Sequence, residues 1–176
     1  MAEIIIAGFG GQGVLVLGQV ITYAGMLEDK SVSWLPSYGP EQRGGTCNCS
    51  VVITEGEVGS PLVTRPSVAI VMNAPSFDRF EPTVKPGGLL LYNSSLVPKT
   101  SSRTDIRTIA VPANEIADEL GNTRVANMVM LGAFIEATGL VQEENIEKAL
   151  RAVISERHHH LIPLNMQALE RGRAYQ

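Results

Sequence analysis

Cysteines, aromatic side chains and excess positive charge are all scarce in this chain of 176 residues. Its two cysteines, Cys47 and Cys49, lie too close along an extended strand for an unstrained bridge, so no disulfide framework is expected. One Trp, four Phe and four Tyr offer no platform for stacking bases. A net charge of -4, with no local cluster of Lys and Arg to reverse it, argues against a nucleic-acid partner. No apolar run approaches the ~18 to 20 residues needed to cross a bilayer. The N-terminus enters a strand pattern at once, without the basic region or small-residue cleavage site of a secretory signal. The expectation is a reduced, cytoplasmic protein with neither membrane nor nucleic acid as partner.

What is present is ordinary for a globular chain: 44% hydrophobic and 18% charged residues. The length predicts one domain over 1–176, large enough to bury roughly 70% of its unfolded surface. Short β-branched or apolar runs predict strands at 3–7, 31–35, 46–54, 68–72, 89–92 and 106–111. Helical spacing, as in Val14, Leu17, Ile21, Ala24 and Leu27, predicts helices at 14–27, 75–80, 112–120, 122–138, 142–155 and 163–171. A turn at 55–57 leads into a short return through 58–63. The alternation implies an α/β fold: a doubly wound, mostly parallel, Rossmann-like sheet covered on both faces. The 46–63 region breaks the rhythm and is expected to add an antiparallel edge hairpin.

The stretch "GFGGQG" stands between the first strand and the first helix. Gly8, Gly10 and Gly13 satisfy G-x-G-x-x-G, while Gly11 and Gln12 complete the turn. Such glycines let backbone approach an anion, which then faces the positive end of a helix dipole. They equally serve a tight turn with no ligand. The dinucleotide form of the motif needs an acid ~20 residues further on, at the end of the second strand. Trp34-Leu35-Pro36-Ser37 stands there instead, and Glu28 and Asp29 precede the strand, where they cap or solvate the helix end. No Gly-Lys-Ser/Thr follows the loop, so the Walker pattern is missing too.

A second loop, "SYGPEQRGGT", leaves the second strand on the carboxyl edge of the sheet, where a doubly wound fold forms its ligand crevice. Arg43 can fork onto a phosphate or carboxylate, with Glu41 to position it. Gly44 and Gly45 permit close backbone approach, and Tyr38 offers a ring and a hydroxyl. The plain alternative is a turn with a solvated arginine.

The two loops, "GSP" at 59–61 and "VANMVMLGAF" at 125–134 together resemble the gamma subunit of 2-oxoacid:ferredoxin oxidoreductases, over nearly the whole chain and in the expected order. "WLPSYGPEQRGGTCNC" is most similar in style to the 2-oxoglutarate and branched-chain members. The resemblance implies a subunit of a complex that decarboxylates a 2-oxoacid, reduces ferredoxin and forms an acyl-CoA, with alpha, beta and delta-type subunits as partners. The isolated chain would then be inactive and carry no catalytic residue, and it would be free to form a homodimer through surface meant for a partner. Thiamine diphosphate and the iron–sulfur clusters would sit on the partner subunits. Two cysteines cannot ligate a four-cysteine cluster, and no Gly-Asp-Gly signature for thiamine diphosphate occurs. No cofactor is expected on this chain alone, with coenzyme A as the candidate ligand for its two loops. Two other readings stand beside this one: an autonomous Rossmann-type nucleotide-binding enzyme, and the gamma-like subunit of an indolepyruvate oxidoreductase.

The remaining candidates are weaker. Cys47 and Cys49 share one strand face and read as small buried residues. His158-His159-His160 point in different directions on any regular backbone, so a solvated turn is expected rather than a metal site. Met128, Leu131 and Ile135 form one helical stripe, with Gly132 and Ala133 allowing close approach. That helix suits either core packing or a subunit interface. Asn127 or Asn122, at its start, is placed to face the crevice of the two loops.

Overall fold

The structure, a computed structural model, describes residues 1–38 and 45–176, without the side chain of Tyr38. Six strands form one sheet: β1 (Ala2–Phe9), β2 (Ser31–Tyr38), β3 (Thr46–Thr54), β4 (Val68–Val71), β5 (Leu89–Asn93) and β6 (Arg107–Val111). Their spatial order is β2-β3-β1-β4-β5-β6. β1, β4, β5 and β6 pair in parallel, while β3 runs antiparallel to both β1 and β2. The helices are α1 (Val14–Leu27), α2 (Ala74–Phe80), α3 (Ala113–Glu119), α4 (Ala126–Thr138), α5 (Ile146–Val153) and α6 (Ile162–Arg173).

Strand alternation divides the core in two. Ile4, Ile6, Ile70, Leu91 and Val111 point to a large cluster under α1, α3, α4, α5 and α6. Ile5, Ala7, Ala69, Val71 and Leu90 point to a smaller one with Phe77 and Phe80 of α2. Both faces are covered, as continuous apolar strands demand, but five helices lie on one face and one short helix on the other.

The antiparallel hairpin exists, but its strands are β2 and β3 rather than two halves of 46–63. Pro61 and Pro66, with Gly56 and Gly59, interrupt the stretch after β3, and proline cannot donate to a ladder. That stretch instead crosses the smaller core, where Val63 is buried. β2 runs beyond Leu35 through Pro36 because it is an edge strand, where a missing N–H has no ladder partner to lose.

Two predicted helices begin later than their apolar spacing suggests. Short 3-10 turns at Thr123–Val125 and Glu143–Asn145 precede α4 and α5, the first capped by the Asn122 side chain on the Arg124 N–H at 3.0 Å. The Met-rich helix is core and not an interface. Every residue of α4 from Ala126 to Ile135 is buried, because α6 covers its outer side. The crossing is close at Gly132 and Gly172, where a Cβ would overlap the carbonyl oxygens of Leu169 and Val129 respectively.

Glu28 does more than solvate a helix end. It bonds Lys30 at 2.8 Å, the Gln142 N–H at 2.6 Å and Asn145 Nδ2 at 3.2 Å, tying the end of α1 to the start of α5. Burial pushes its carboxyl up, but the bonds from Gln142, Lys30 and Asn145 outweigh this and hold it below the ordinary value. The histidine run forms a 3-10 helix, Glu156–Leu161, with His158 and His160 exposed and His159 Nε2 3.1 Å from the Ile154 carbonyl oxygen.

Candidate functional site

The carboxyl ends of β1, β2, β4, β5 and β6 and the start of β3 share one edge of the sheet. The glycine turn leaves β1 there. Gly11 has φ 95° and Gly13 φ 73°, left-handed values that disfavour any side chain. Gly13 precedes α1, and no side chain caps that helix, so its first N–H groups face the turn. Gly8 is held tightly: a Cβ there would come 2.6 Å from Gln12 Oε1 and 2.9 Å from Met72 Cβ.

The second loop returns beside this turn. The Gly10 N–H donates to the Gly45 carbonyl oxygen at 3.1 Å, so the return from that loop is pinned to the glycine turn. Glu41, Arg43 and Gly44 lie outside the described residues, as does the side chain of Tyr38. Of the second loop's candidates, Gly45 alone is described, and it is buried.

Amide side chains tie the strand ends together. Gln12 Oε1 accepts the Phe9 N–H at 2.7 Å and Asn73 Nδ2 at 3.2 Å, while its NH2 reaches the Met72 carbonyl at 3.3 Å. Asn73 also caps α2, accepting the Ser76 N–H at 2.9 Å. Asn93, fully buried, donates to Met72 O at 3.3 Å and Asn114 Oδ1 at 2.7 Å, and accepts the Ala113 N–H at 3.2 Å. Asn127 donates to Gly13 O at 3.3 Å and so joins the glycine turn, whereas Asn122 is spent on its own 3-10 turn. Each buried amide thus has partners, as burial of polar groups requires.

Sequence reading did not single out Asn73, Asn93, Asn114 or Arg124. One signal was available: three of these residues follow the ends of strands or begin the helices after them, on the edge where such folds bind ligands. Cys47 and Cys49 face the α1 core. Both thiols are free and buried, and burial pushes Cys49 up to about 12. Among the described residues no group of His, Cys, Asp and Glu is arranged to hold a metal ion, and no helix is long and apolar enough to cross a membrane.

The sheet and its helices therefore define an α/β protein of the doubly wound type. It departs from the dinucleotide-binding form, because β3 stands between β1 and β2. The end of β2 is two strand spacings, about 9 to 10 Å, from the glycine turn. A ribose carboxylate there would be out of place, and none is present among the described residues of β2.

A family model described as pyruvate ferredoxin/flavodoxin oxidoreductase matches residues 3–175, and the chain belongs to that family. It is 45% identical over 169 residues to ketoisovalerate oxidoreductase subunit VorA of Methanothermobacter marburgensis, covering 95% of this chain and 35% of that protein. The chain thus spans about a third of the length of that relative. It is 35% identical to 2-oxoglutarate synthase subunit KorC of Methanocaldococcus jannaschii, over 84% of this chain and 81% of that one. The crystal structure of the keto/oxoacid ferredoxin oxidoreductase gamma subunit from Geobacter sulfurreducens superposes with a TM-score of 0.82 at 31% identity, covering 98% of this chain and 96% of that chain.

Proposed function

We propose that this chain is the gamma subunit, or gamma portion, of a 2-oxoacid:ferredoxin oxidoreductase that converts a branched-chain 2-oxoacid or 2-oxoglutarate to its acyl-CoA. The likeness to VorA and KorC supports both the complex and the two substrate classes. Within that complex the chain works as one domain over 1–176 and shapes the crevice where coenzyme A enters. The observation that carries this role is the bond from Gly10 N–H to Gly45 O. It brings the glycine turn and the return of the Arg43 loop to one point on the sheet edge.

The donor set fits a phosphate-bearing ligand. Gly11 and Gly13 in left-handed conformations expose backbone N–H groups, and the uncapped start of α1 adds the positive end of its dipole. Coenzyme A supplies the thiol that accepts the acyl group. This chain's part is to hold its phosphates and orient it toward a centre on the partner subunits. The same residues do not fit an iron–sulfur cluster, since Cys47 and Cys49 are buried under α1 and number two where four are needed. The clusters, thiamine diphosphate and the contact with ferredoxin therefore belong to alpha, beta and delta-type partners, in the cytoplasm.

Purifying the chain at native level from its own cell tests this. The expected result is co-purification of larger subunits with thiamine diphosphate, iron–sulfur absorbance and CoA-dependent ferredoxin reduction. A lone chain that binds a nucleotide tightly without partners would overturn it. Within the complex, Arg43→Ala is expected to raise the KM for coenzyme A. An unchanged KM with normal assembly would remove that loop from the site.

A further inference from the structure

On the β4 side of β1, away from β3, a cavity of about 180 Å³ opens beside the glycine turn. Its polar lining is Gln12, Asn114, Thr123 and Arg124, with Gly11 at the rim and Met72 in the wall. At ~30 Å³ per water the cavity holds about six waters' worth of volume, enough for one small charged group and not for a nucleotide.

The polarity of the lining follows from the amide network. Asn93 uses both of its amide hydrogens and its oxygen, which fixes its orientation. Asn114 must then present Oδ1 to Asn93, and its NH2 remains for the cavity. Gln12 is fixed in the same way. Its oxygen accepts twice and one amide hydrogen goes to Met72 O, leaving the other hydrogen to donate. Arg124 is exposed and makes no ion pair among the described residues. Among the described residues no carboxylate lines the cavity. The Asn114 NH2, the second amide hydrogen of Gln12, a hydroxyl and a guanidinium line this cavity with no acceptor for them among the described residues, an arrangement that selects an oxyanion.

We propose that this cavity is an anion subsite, in which Arg124 pairs with one phosphate or carboxylate group while Asn114 and Gln12 orient it. It lies on the β4 side of the glycine turn and goes beyond the proposed crevice. Within the proposed reaction the oxyanion has two sources: a phosphate of coenzyme A, or the distal carboxylate of a dicarboxylic 2-oxoacid.

The first arm of the test needs the full chain alone. Inorganic phosphate is titrated against the wild type, Arg124→Gln and the surface control Arg151→Gln, at constant ionic strength set with chloride, and the melting temperature is read. Stabilisation of the wild type and the control, lost in Arg124→Gln, supports the subsite. An equal response in all three, or none beyond chloride, overturns it. The second arm uses the intact complex and separates the sources. If Arg124→Gln raises the KM for coenzyme A roughly 10- to 100-fold and leaves dephospho-coenzyme A unchanged, the group is the 3′-phosphate, and an equal rise with both nucleotides assigns the pyrophosphate. A rise confined to 2-oxoglutarate, absent with a branched-chain monocarboxylate, assigns the carboxylate. No change in any KM overturns the subsite in the reaction. Should no complex exist, the proposed function fails while the phosphate titration still decides this inference.

Discussion

The side-chain oxygen of Gln12 accepts the backbone N–H of Phe9 at 2.7 Å, so the glycine turn is closed from within by one of its own residues. The same side chain reaches Asn73 and the carbonyl of Met72, joining the end of β1 to the residues after β4. Order in the turn therefore depends on an amide that both donates and accepts.

Replacing it tests this dependence. Gln12→Ala leaves the Phe9 N–H and the Asn73 side-chain N–H without their acceptor, while the Met72 carbonyl keeps Asn93, and is expected to cost about 1 to 3 kcal/mol in urea unfolding. Gln12→Glu keeps the two accepted bonds but sets a carboxylate oxygen against the Met72 carbonyl. Protonation restores a donor and the repulsion raises the folded carboxyl above its unfolded value, so the loss in Gln12→Glu should shrink as pH falls toward ~4 and change no further below it. A Gln12→Ala midpoint equal to that of wild type would mean that glycine geometry alone holds the turn.

Gly13 and Asn127 form a second such pair. Gly13 sits at φ 73°, and a Cβ there would overlap the Asn127 amide. Gly13→Ala should therefore lose about 1 to 2 kcal/mol to backbone strain, with a further loss from overlap. Removing the amide relieves the overlap and not the strain. The double variant with Asn127→Ala is expected to show a coupling of roughly 0.5 to 3 kcal/mol in a double-mutant cycle. Strict additivity would show that Asn127 swings clear at no cost.

Much of this edge could be read from the sequence because its signals are local. The run Ile4-Ile5-Ile6 before "GFGGQG", with helical spacing after it, defines β1, the turn and α1 without long-range information. The position of β3 between β1 and β2 could not be read in this way. Strand order depends on pairing across the sheet, and Thr46–Thr54 alternates equally well beside either neighbour. The amide network escaped for a related reason. Asn73, Asn93 and Asn114 are scattered over more than 40 positions, and a lone Asn after a strand is also an ordinary turn residue. The Met-rich run of α4 offered core and interface alike, and α6 decides between them from 30 to 40 residues further along the chain.

The α4–α6 crossing makes its own prediction. A Cβ on Gly132 would overlap the Leu169 carbonyl oxygen, and one on Gly172 the Val129 carbonyl oxygen. Both obstacles are backbone, so no rotamer change relieves them and the helices must part. Overpacking of this kind costs about 1 to 3 kcal/mol and at times more. Gly132→Ala is expected at or above the upper end, read as a lowered urea midpoint. Gly172→Ala added to it should cost less than its single effect, because separation of the helices is then already made. A neutral Gly132→Ala would contradict the close crossing.

Cys49 predicts how stability falls in alkali. Burial pushes its thiol from the ordinary 9.0 up to about 12, with the nearby Trp34 indole pulling weakly downward and Cys47 adding to the rise. The Trp34 N–H lacks a hydrogen-bond partner of full geometry, so burial is the cause that decides. In the unfolded chain this thiol loses its proton near pH 9, whereas in the folded chain it keeps it to about pH 12. The folded state therefore binds more protons in that window, and stability must fall as pH rises through it. The contribution is complete below pH 9 and declines by at most about 1.4 kcal/mol per pH unit above it. The comparison is between wild type and Cys49→Ala at each pH. The variant lacks the buried thiol and should be less stable at pH 8, with the gap narrowing steadily from pH 9 toward 12. A gap that stays constant would show that Cys49 is reached by water in the folded chain. Its native thiol would then react with a small maleimide at pH 8 without prior unfolding, which the buried position under α1 forbids.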